Sequence, residues 1–198
     1  MIVRSIDLLA PAGVLAALGC QGTPDASAKR QPAPLPPGIT VHDAKGATIA
    51  ELRPGHPCRA SIGPIEMIVG GEPLVAQVGD TRWSGDTGSN GTTILRGAEA
   101  VARVFPVGDP SHVAVIDPQG IPLLRVSLSG GDATVINSAG QVARRLHTKV
   151  GGEIVSDPPA ASATGTSDLV LVALLSAPEL APEVRMLAAC ERELVKGS

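Results

Sequence analysis

Aromatic side chains are almost absent from this chain: among its 198 residues, only Trp83 and Phe105 are aromatic. Proteins that bind single-stranded nucleic acids stack the bases on aromatic rings, and this sequence offers little such surface. Its net charge of −3 and its one small basic run, Arg144-Arg145 with Lys149 nearby, also argue against a nucleic-acid partner. With so few aromatic residues, a core must be built from Val, Ile, Leu and Ala.

Motifs for metal binding and catalysis are lacking as well. The three cysteines, Cys20, Cys58 and Cys190, form no CxxC pair, so a zinc site is not supported. The histidines show no HExxH-like spacing and are expected at the surface or in strands: His42, His56, His112 and His147. There is no GxSxG and no phosphate-binding GxxxxGK[ST]. The sequence therefore predicts no metal, no cofactor and no evident catalysis.

The amino terminus, MIVRSIDLLAPAGVLAALGC, has the order of a secretory signal: a basic residue, a short apolar run and a small residue. The run is shorter than the roughly 20 residues of a membrane-spanning helix. Leu18-Gly19-Cys20 resembles the lipobox of bacterial lipoproteins, in which the Cys is lipidated and becomes the mature N-terminus. We expect residues 1–19 to be a signal peptide and Cys20 to carry lipid. A plain signal peptide and a cytosolic chain with an apolar start are the alternatives.

The residues after Cys20 predict where the anchored protein resides. In enteric lipoproteins an Asp after the lipidated Cys favours the inner membrane, so Gln21 implies the outer membrane. The stretch QGTPDASAKRQPAPLPPG, rich in Pro, lacks the apolar residues of a core and should be extended and semi-rigid. We therefore interpret residues 20–38 as a tether. A Pro-rich ligand for a partner is the other interpretation.

Residues 39–198 are long enough for one domain with its own core, and most of them form short β segments separated by turns. Three turns, HDAKG, IDPQG and INSAG, each place Asp or Asn three residues before Gly, which is typical of hairpins. We predict twelve strands, at 39–42, 47–52, 59–62, 65–69, 74–78, 92–96, 100–105, 113–116, 123–128, 133–136, 141–147 and 154–155.

The C-terminal part predicts helices. DPPAASATGTSD, from Asp157 to Asp168, is expected to be a loop whose Ser167 or Asp168 caps a helix. The apolar run 169–175 is either this helix or a buried strand, since periodicity alone does not separate the two. A second helix is predicted to start at Ala181-Pro182-Glu183. Its buried face would carry Val184, Leu187, Cys190 and Leu194.

This layout resembles the tubby-like and LURP-one-related fold. The resemblance rests on three V-x-[DN]-x-x-G hairpins, at 41–46, 115–120 and 135–140, and on SDLVLVALLSAP near the end. It implies an antiparallel β-barrel, or a barrel-like sheet, packed on an apolar C-terminal helix. The basic phosphoinositide pocket of tubby proteins has no match in this sequence, so that ligand is not carried over.

If Cys20 is lipidated, Cys58 and Cys190 remain as the only other thiols. An oxidising envelope compartment would permit a disulfide between them. Two separate buried thiols are the alternative, because sequence does not fix the distance that separates the two residues.

Asp86-Thr87-Gly88-Ser89 matches the tetrapeptide that carries the catalytic carboxylate in aspartic proteases. In that family the Asp follows an apolar strand directly, and two carboxylates share one proton. Here a polar insert, 79–85, separates the apolar strand from Asp86, and no second Asp-Thr-Gly or Asp-Ser-Gly follows. A solvated turn is the simpler interpretation. Calcium binding by Asp80, Asp86 and Asn90 does not fit the EF-hand pattern.

Together these patterns predict a protein held in the bacterial cell envelope by lipid, with a binding or structural role. Its partners would be the membrane, through the lipid, and an envelope protein or a lipid-like ligand. An aspartic-type protease that uses Asp86 is the alternative function.

Overall fold

The computed structural model describes residues 37–107 and 109–196, the side chains of residues 109–111, 195 and 196 excepted. The signal peptide predicted over 1–19 and the lipidation predicted at Cys20 lie outside these residues. So does the predicted tether, apart from its last two residues.

The described residues form fourteen β-strands and two α-helices, which confirms the predicted fold class of a mainly β domain with a C-terminal helix. The elements are β1 (Ile39–Asp43), β2 (Thr48–Arg53), β3 (Cys58–Ile62), β4 (Ile65–Val69), β5 (Leu74–Val78), β6 (Thr81–Gly88), β7 (Gly91–Arg96), β8 (Glu99–Val107), β9 (Asp109–Ile116), β10 (Pro122–Ser129), β11 (Asp132–Asn137), β12 (Val142–Thr148), β13 (Ile154–Asp157), β14 (Ala161–Thr164), α1 (Leu169–Leu175) and α2 (Pro182–Lys196).

The strands form one antiparallel sheet that almost closes into a barrel. Hydrogen-bonded pairing runs in chain order from β5 to β14 and from β1 to β4, and β14 pairs with β1 through registers such as Val41 opposite Ala163. Between the two edge strands, β4 and β5, the described pairing is a single bridge. There the amides and carbonyls of Gly70 and Val75 exchange hydrogen bonds of 3.1 and 2.9 Å. We call this β4–β5 gap the seam.

Because consecutive antiparallel strands alternate in direction, their connections alternate between the two ends of the barrel. One end, which we call the turn end, carries the tight turns 43–46, 117–120 and 137–140 and the α1–α2 connection. The other, which we call the bridge end, carries the connections 54–57, 70–73 and 89–90 and the start of α1. Helix α2 runs from the turn end back to the bridge end.

The three predicted hairpin turns are present and share one hydrogen-bonding pattern. Oδ1 of Asp43 accepts the amides of Lys45 and Ala47 at 2.8 and 2.9 Å, and Asp117 and Asn137 accept the equivalent amides in their turns. The glycine that closes each turn has a positive φ, of 82°, 86° and 76° in chain order. The Asp or Asn side chain thus satisfies turn amides that would otherwise be left to solvent.

The helices fill the space inside the sheet. Every residue of α1 is buried, and this helix contacts β10, β11 and β12. Helix α2 contacts a different part of the wall, at β3, β4 and β6. Buried Val, Ile, Leu and Ala dominate the core, as predicted, and Trp83 joins them. Within the described part of the chain, no helix has the length and apolar character needed to span a bilayer.

The run from Leu169 is a helix rather than a buried strand, and Asp168 is its cap. The Asp168 carboxylate accepts the amides of Val170 and Leu171 at 2.9 and 3.2 Å. It also pairs with the guanidinium of Arg192 on α2, with Nε–Oδ2 at 2.5 Å. The same carboxylate therefore starts α1 and ties it to α2.

Helix α2 buries the predicted face. Val184, Leu187 and Cys190 are fully or almost fully buried, and Leu194 packs against the core. Cys190 forms a disulfide with Cys58 at the start of β3, with 5.8 Å between the Cα atoms and a sequence separation of 132. This bond fixes α2 to the barrel wall near the bridge end.

The loop predicted over 157–168 is wrong in part, because residues 161–164 form β14. Ala161 and Ala163 are buried and alternate with Ser162 and Thr164. Small residues of this kind give a weak strand signal on their own. Their strand conformation depends on pairing with β1, a partner more than a hundred residues away in the chain.

Candidate functional site

A cavity of about 610 Å³ opens at the bridge end, where the seam meets the last turns of α2. This volume lies within the usual range of small-molecule sites, about 300–1,000 Å³. The lining residues come from the β2–β3 and β4–β5 connections, β5, β6 and α2: His56, Gly71, Glu72, Pro73, Leu74, Asp86, Thr87, Glu191 and Leu194.

Glu191 is the acidic group held most deeply in this lining. Burial raises the pKa of its carboxyl, and a hydrogen bond from the Thr92 hydroxyl lowers it by a smaller amount. In the described part of the chain, no Lys, Arg or His forms an ion pair with this carboxylate. The Thr92 hydroxyl offsets only part of the desolvation cost and no cation offsets the rest, which explains the direction of the pKa shift.

A short line of hydroxyl groups connects Glu191 to the strand that carries Asp86. Thr92 on β7 donates to the Glu191 carboxylate, and its Oγ1 lies 3.1 Å from Oγ1 of Thr87 on β6. Thr87 and Thr92 are directly opposite each other in the β6–β7 hairpin, so their side chains share the inward face. The pairing of β6 with β7 thus places the Thr92 hydroxyl next to both Thr87 and the Glu191 carboxylate.

Asp86 lies at the rim of the cavity, in a strand. The interpretation of its surroundings as a turn is wrong in extent: β6 runs from Thr81 to Gly88, and only Ser89 and Asn90 form the turn. Residues 81–85 of the predicted polar insert belong to the same strand, in which Trp83 and Gly85 are buried on the inward face. Asp86 is exposed, and none of the hydrogen bonds of the described residues joins it to a second carboxyl group.

The remaining titratable groups of the lining are Glu72 and His56, both exposed. Three acidic residues and one histidine thus contribute to the lining, with no Lys or Arg among its described residues. Arg192, the cation next to Glu191 in sequence, is engaged by Asp168. The cavity therefore has acidic character, and the nearest cation in the helix does not neutralise it.

Pro73, Leu74 and Leu194 supply the apolar part of the lining. Leu74 is almost fully buried, whereas Pro73 is exposed at the mouth. Polar groups on one side and apolar groups on the other are the usual composition of a ligand site.

Gly91 permits the backbone approach that closes the β6–β7 hairpin beside the cavity. Its φ is +116°, and a Cβ atom there would lie 2.3 Å from the carbonyl oxygen of Val104 and 2.5 Å from Cβ of Phe105. Any larger residue must therefore displace backbone. By contrast, a Cβ at Gly88 across the hairpin would meet nothing closer than 3.8 Å.

A second group of buried charges lies at the turn end. Arg144 on β12 donates to the carbonyl of Ala173 and to the Ser176 hydroxyl, both at 3.3 Å, and Arg185 donates to the carbonyl of Leu175 at 3.2 Å. These acceptors are at the C-terminus of α1, where cations are favoured. Burial lowers the pKa of both guanidinium groups, an effect that Glu179 partly offsets. This group caps the C-terminus of α1, while Nε of Arg144 and Nε of Arg185 are buried without a hydrogen-bond partner among the described residues.

The sequence analysis missed Glu191, although the pattern contained a signal for it. Val184, Leu187, Glu191 and Leu194 are spaced by three, four and three residues, so Glu191 lies in the middle of the apolar face of α2. An acidic residue in such a face is a candidate for a site. His56 and Glu72 gave no comparable signal, because only the fold brings their connections together.

Among the described residues, no three His, Cys, Asp or Glu side chains are arranged to hold a metal ion. Scans against protein-family models, curated proteins and solved structures found no match to this chain. The resemblance to the tubby-like and LURP-one-related fold therefore stays a prediction.

Proposed function

We propose that this chain is a lipid-anchored protein of the bacterial cell envelope with a binding role, and that the bridge-end cavity is its binding site. The proposed partner is an envelope protein or a small lipid-like ligand that is held near the membrane, with the outer membrane as the site of anchorage. The lipobox-like Leu18-Gly19-Cys20 and the Pro-rich stretch after it support the anchor.

The observation that carries the binding role is the composition of the cavity. Its lining combines an apolar side with acidic residues, including the half-buried Glu191, in a volume suited to a small molecule or a single side chain. The disulfide holds α2 against β3 close to this place, so the lining is supported by a covalent bond. A rigid wall favours binding because less conformational freedom is lost when the ligand enters.

The alternative, an aspartic-type protease that uses Asp86, has one observation in its favour: Asp86 and Glu191 line the same cavity. Against it, Asp86 is exposed and forms no hydrogen bond with a second carboxyl group in the described part of the chain. Two carboxyl groups that share a proton must be in direct contact. This geometry favours binding over proteolysis.

Metabolic labelling with a fatty acid tests the anchor. We expect label on the full chain and none on Cys20→Ala. Gln21→Asp serves as the control, because it should keep the label while moving the protein to the inner membrane. An unlabelled wild-type protein would overturn the anchor.

Site-specific crosslinking in living cells tests the cavity. A photoreactive amino acid at Glu72, in the lining, should give a reproducible adduct, and the same group at Ala139, at the turn end, should give none. Equal adducts at the two positions would contradict the assignment. Peptide cleavage that Asp86→Ala abolishes would replace the binding role with the protease.

A further inference from the structure

The Glu191 carboxylate has no cationic partner among the described residues. Glu191 is a half-buried residue whose carboxylate accepts a hydrogen bond from the neutral hydroxyl of Thr92. Buried carboxylates in proteins are normally paired with a cation, since desolvation of an isolated charge is costly. Glu72 and Asp86, both exposed, contribute two more acidic residues at the rim of the same cavity, and the described lining contains no Lys or Arg.

Resting on the function proposed above, we propose that the occupant of this cavity carries a cationic alkyl group: a protonated amine or a guanidinium joined to an apolar chain. The charged head would lie beside the Glu191 carboxylate, with the exposed Asp86 and Glu72 adding negative charge at the rim. The apolar chain would contact Pro73, Leu74 and Leu194.

The size of the cavity and the arrangement of its acidic residues favour an organic cation over a metal ion. The volume of about 610 Å³ exceeds what a single inorganic ion requires. The carboxyl groups and His56 do not form a set of three that could hold a metal ion. An organic cation needs no such convergence, because an ammonium donates three hydrogen bonds and a guanidinium five.

Two sources could present this chemistry: a free alkylamine, or a Lys or Arg side chain of a partner polypeptide. The cationic head and its aliphatic stem are common to both. Hexylammonium represents the first source. Nα-acetyl-lysine methylamide, whose ε-ammonium is free, represents the second.

Isothermal titration calorimetry of the full chain in phosphatidylcholine nanodiscs tests the proposal, with empty nanodiscs subtracted. Hexylammonium is compared with hexanol and with hexanoate, which have the same chain and a neutral or anionic head. We expect hexylammonium to bind at least about tenfold more tightly than either, because a cation among carboxylates gains charge-assisted hydrogen bonds. The lysine derivative binds more tightly than hexylammonium if the partner is a polypeptide, and less tightly if it is a free amine.

Variants assign this binding to the cavity. Glu191→Gln should weaken hexylammonium at least about tenfold, because it removes the least hydrated carboxylate. Glu183→Gln, near the start of the same helix, should leave the affinity unchanged. Asp86→Asn removes a charge at an exposed position of the rim, where we expect the fold to tolerate the change. Asp80→Asn, in the β5–β6 connection, is its control.

The outcomes separate this inference from the binding role. Hexanol or hexanoate that binds as tightly as hexylammonium would overturn the cationic class and leave the cavity as a binding site. Hexylammonium affinity that survives both Glu191→Gln and Asp86→Asn would also overturn it. Failure of fatty-acid labelling or of the Glu72 crosslink would count against the proposed function alone.

Discussion

The two ends of the barrel satisfy their buried polar groups in different ways. At the turn end, Asp or Asn side chains accept the turn amides, and Arg144 and Arg185 donate to the last carbonyls of α1. At the bridge end, Glu191 faces a cavity, and its hydrogen-bond donor is the hydroxyl of Thr92. The turn end thus places two cations at the helix terminus, although Nε of Arg144 and Nε of Arg185 have no hydrogen-bond partner there, whereas the Glu191 carboxylate at the bridge end has a neutral donor and no cationic partner among the described residues.

This difference indicates which end supports the fold and which end is available for binding. A polar group matched by the chain itself contributes to stability and has little left to offer a ligand. A buried carboxylate without a cation costs stability and gains when a ligand supplies the charge. Changes at the turn end should therefore alter stability, and changes in the cavity lining should alter binding.

The largest expected effect comes from the disulfide, which holds the bridge end together. Replacing both Cys58 and Cys190 with Ala opens a loop of 132 residues and should lower the free energy of unfolding by about 4 kcal/mol. Urea unfolding of the oxidised protein, with and without a reductant, measures it. The reduced wild-type protein is the control and should lose a similar amount. Equal stability of the oxidised and reduced protein would contradict the bond.

The next largest effect is expected for Gly91→Ala, which should lower the free energy of unfolding by about 3 kcal/mol. The new Cβ combines an unfavourable φ with overlap of the β8 backbone. Gly88→Ala, at the opposite position of the same hairpin, has room for its Cβ and should cost less than about 1 kcal/mol. Thermal unfolding of the two variants provides the comparison. Similar losses for both would show that the close approach at Gly91 does not matter.

At the turn end, Arg144→Ala should cost about 1–3 kcal/mol, because the carbonyl of Ala173 and the Ser176 hydroxyl each lose a buried donor. Its neighbour Arg145 is exposed, so Arg145→Ala is the matched control and should change stability by less than about 0.5 kcal/mol. Hexylammonium binding should be the same in both variants. A change in hexylammonium binding for Arg144→Ala would contradict the assignment of stability to the turn end and of binding to the bridge end.

The pH dependence of stability provides the finest comparison. Since burial raises the pKa of Glu191 in the folded state, this group stabilises the protein below its unfolded pKa. That contribution is lost as the pH rises through the folded pKa. Gln at position 191 does not titrate, so wild type should lose stability relative to Glu191→Gln as the pH increases.

Urea unfolding of both proteins across mildly acidic to neutral pH measures this difference. The other titratable groups of the lining, His56, Glu72 and Asp86, are present in both proteins and cancel in the comparison. A difference in stability that stays constant with pH would contradict the burial of Glu191.

The fold was predictable from the sequence where the signals are local. Each Asx–Gly turn forms its own hydrogen bonds, so the hairpins at Asp43, Asp117 and Asn137 could be identified without the rest of the chain. Strands β6 and β14 could not, because small or polar residues fill much of their inward faces and only pairing with neighbours makes them strands. Their conformation is set by tertiary context.

The candidate site was predictable only in part. Asp86 was singled out by a motif, and it does line the cavity, but as an exposed rim residue of a strand. Glu191 could have been found as the acidic residue within the apolar face of α2. Glu72 and His56 belong to connections 16 residues apart in sequence, and only the alternation of turns between the two ends brings them together.

The pairing of β1 with β14 has a consequence for the order in which the chain is made. Every other strand pair in the sheet joins neighbours in sequence, but Thr40 pairs with Thr164. During synthesis, β1 therefore presents an unpaired edge until residues 161–164 exist, and the helices that fill the interior follow later still. We expect the chain to depend on protection of that edge while it is incomplete, because exposed edges invite pairing with other chains. Formation of β14 thus ends the interval in which the β1 edge is open to pairing with other chains.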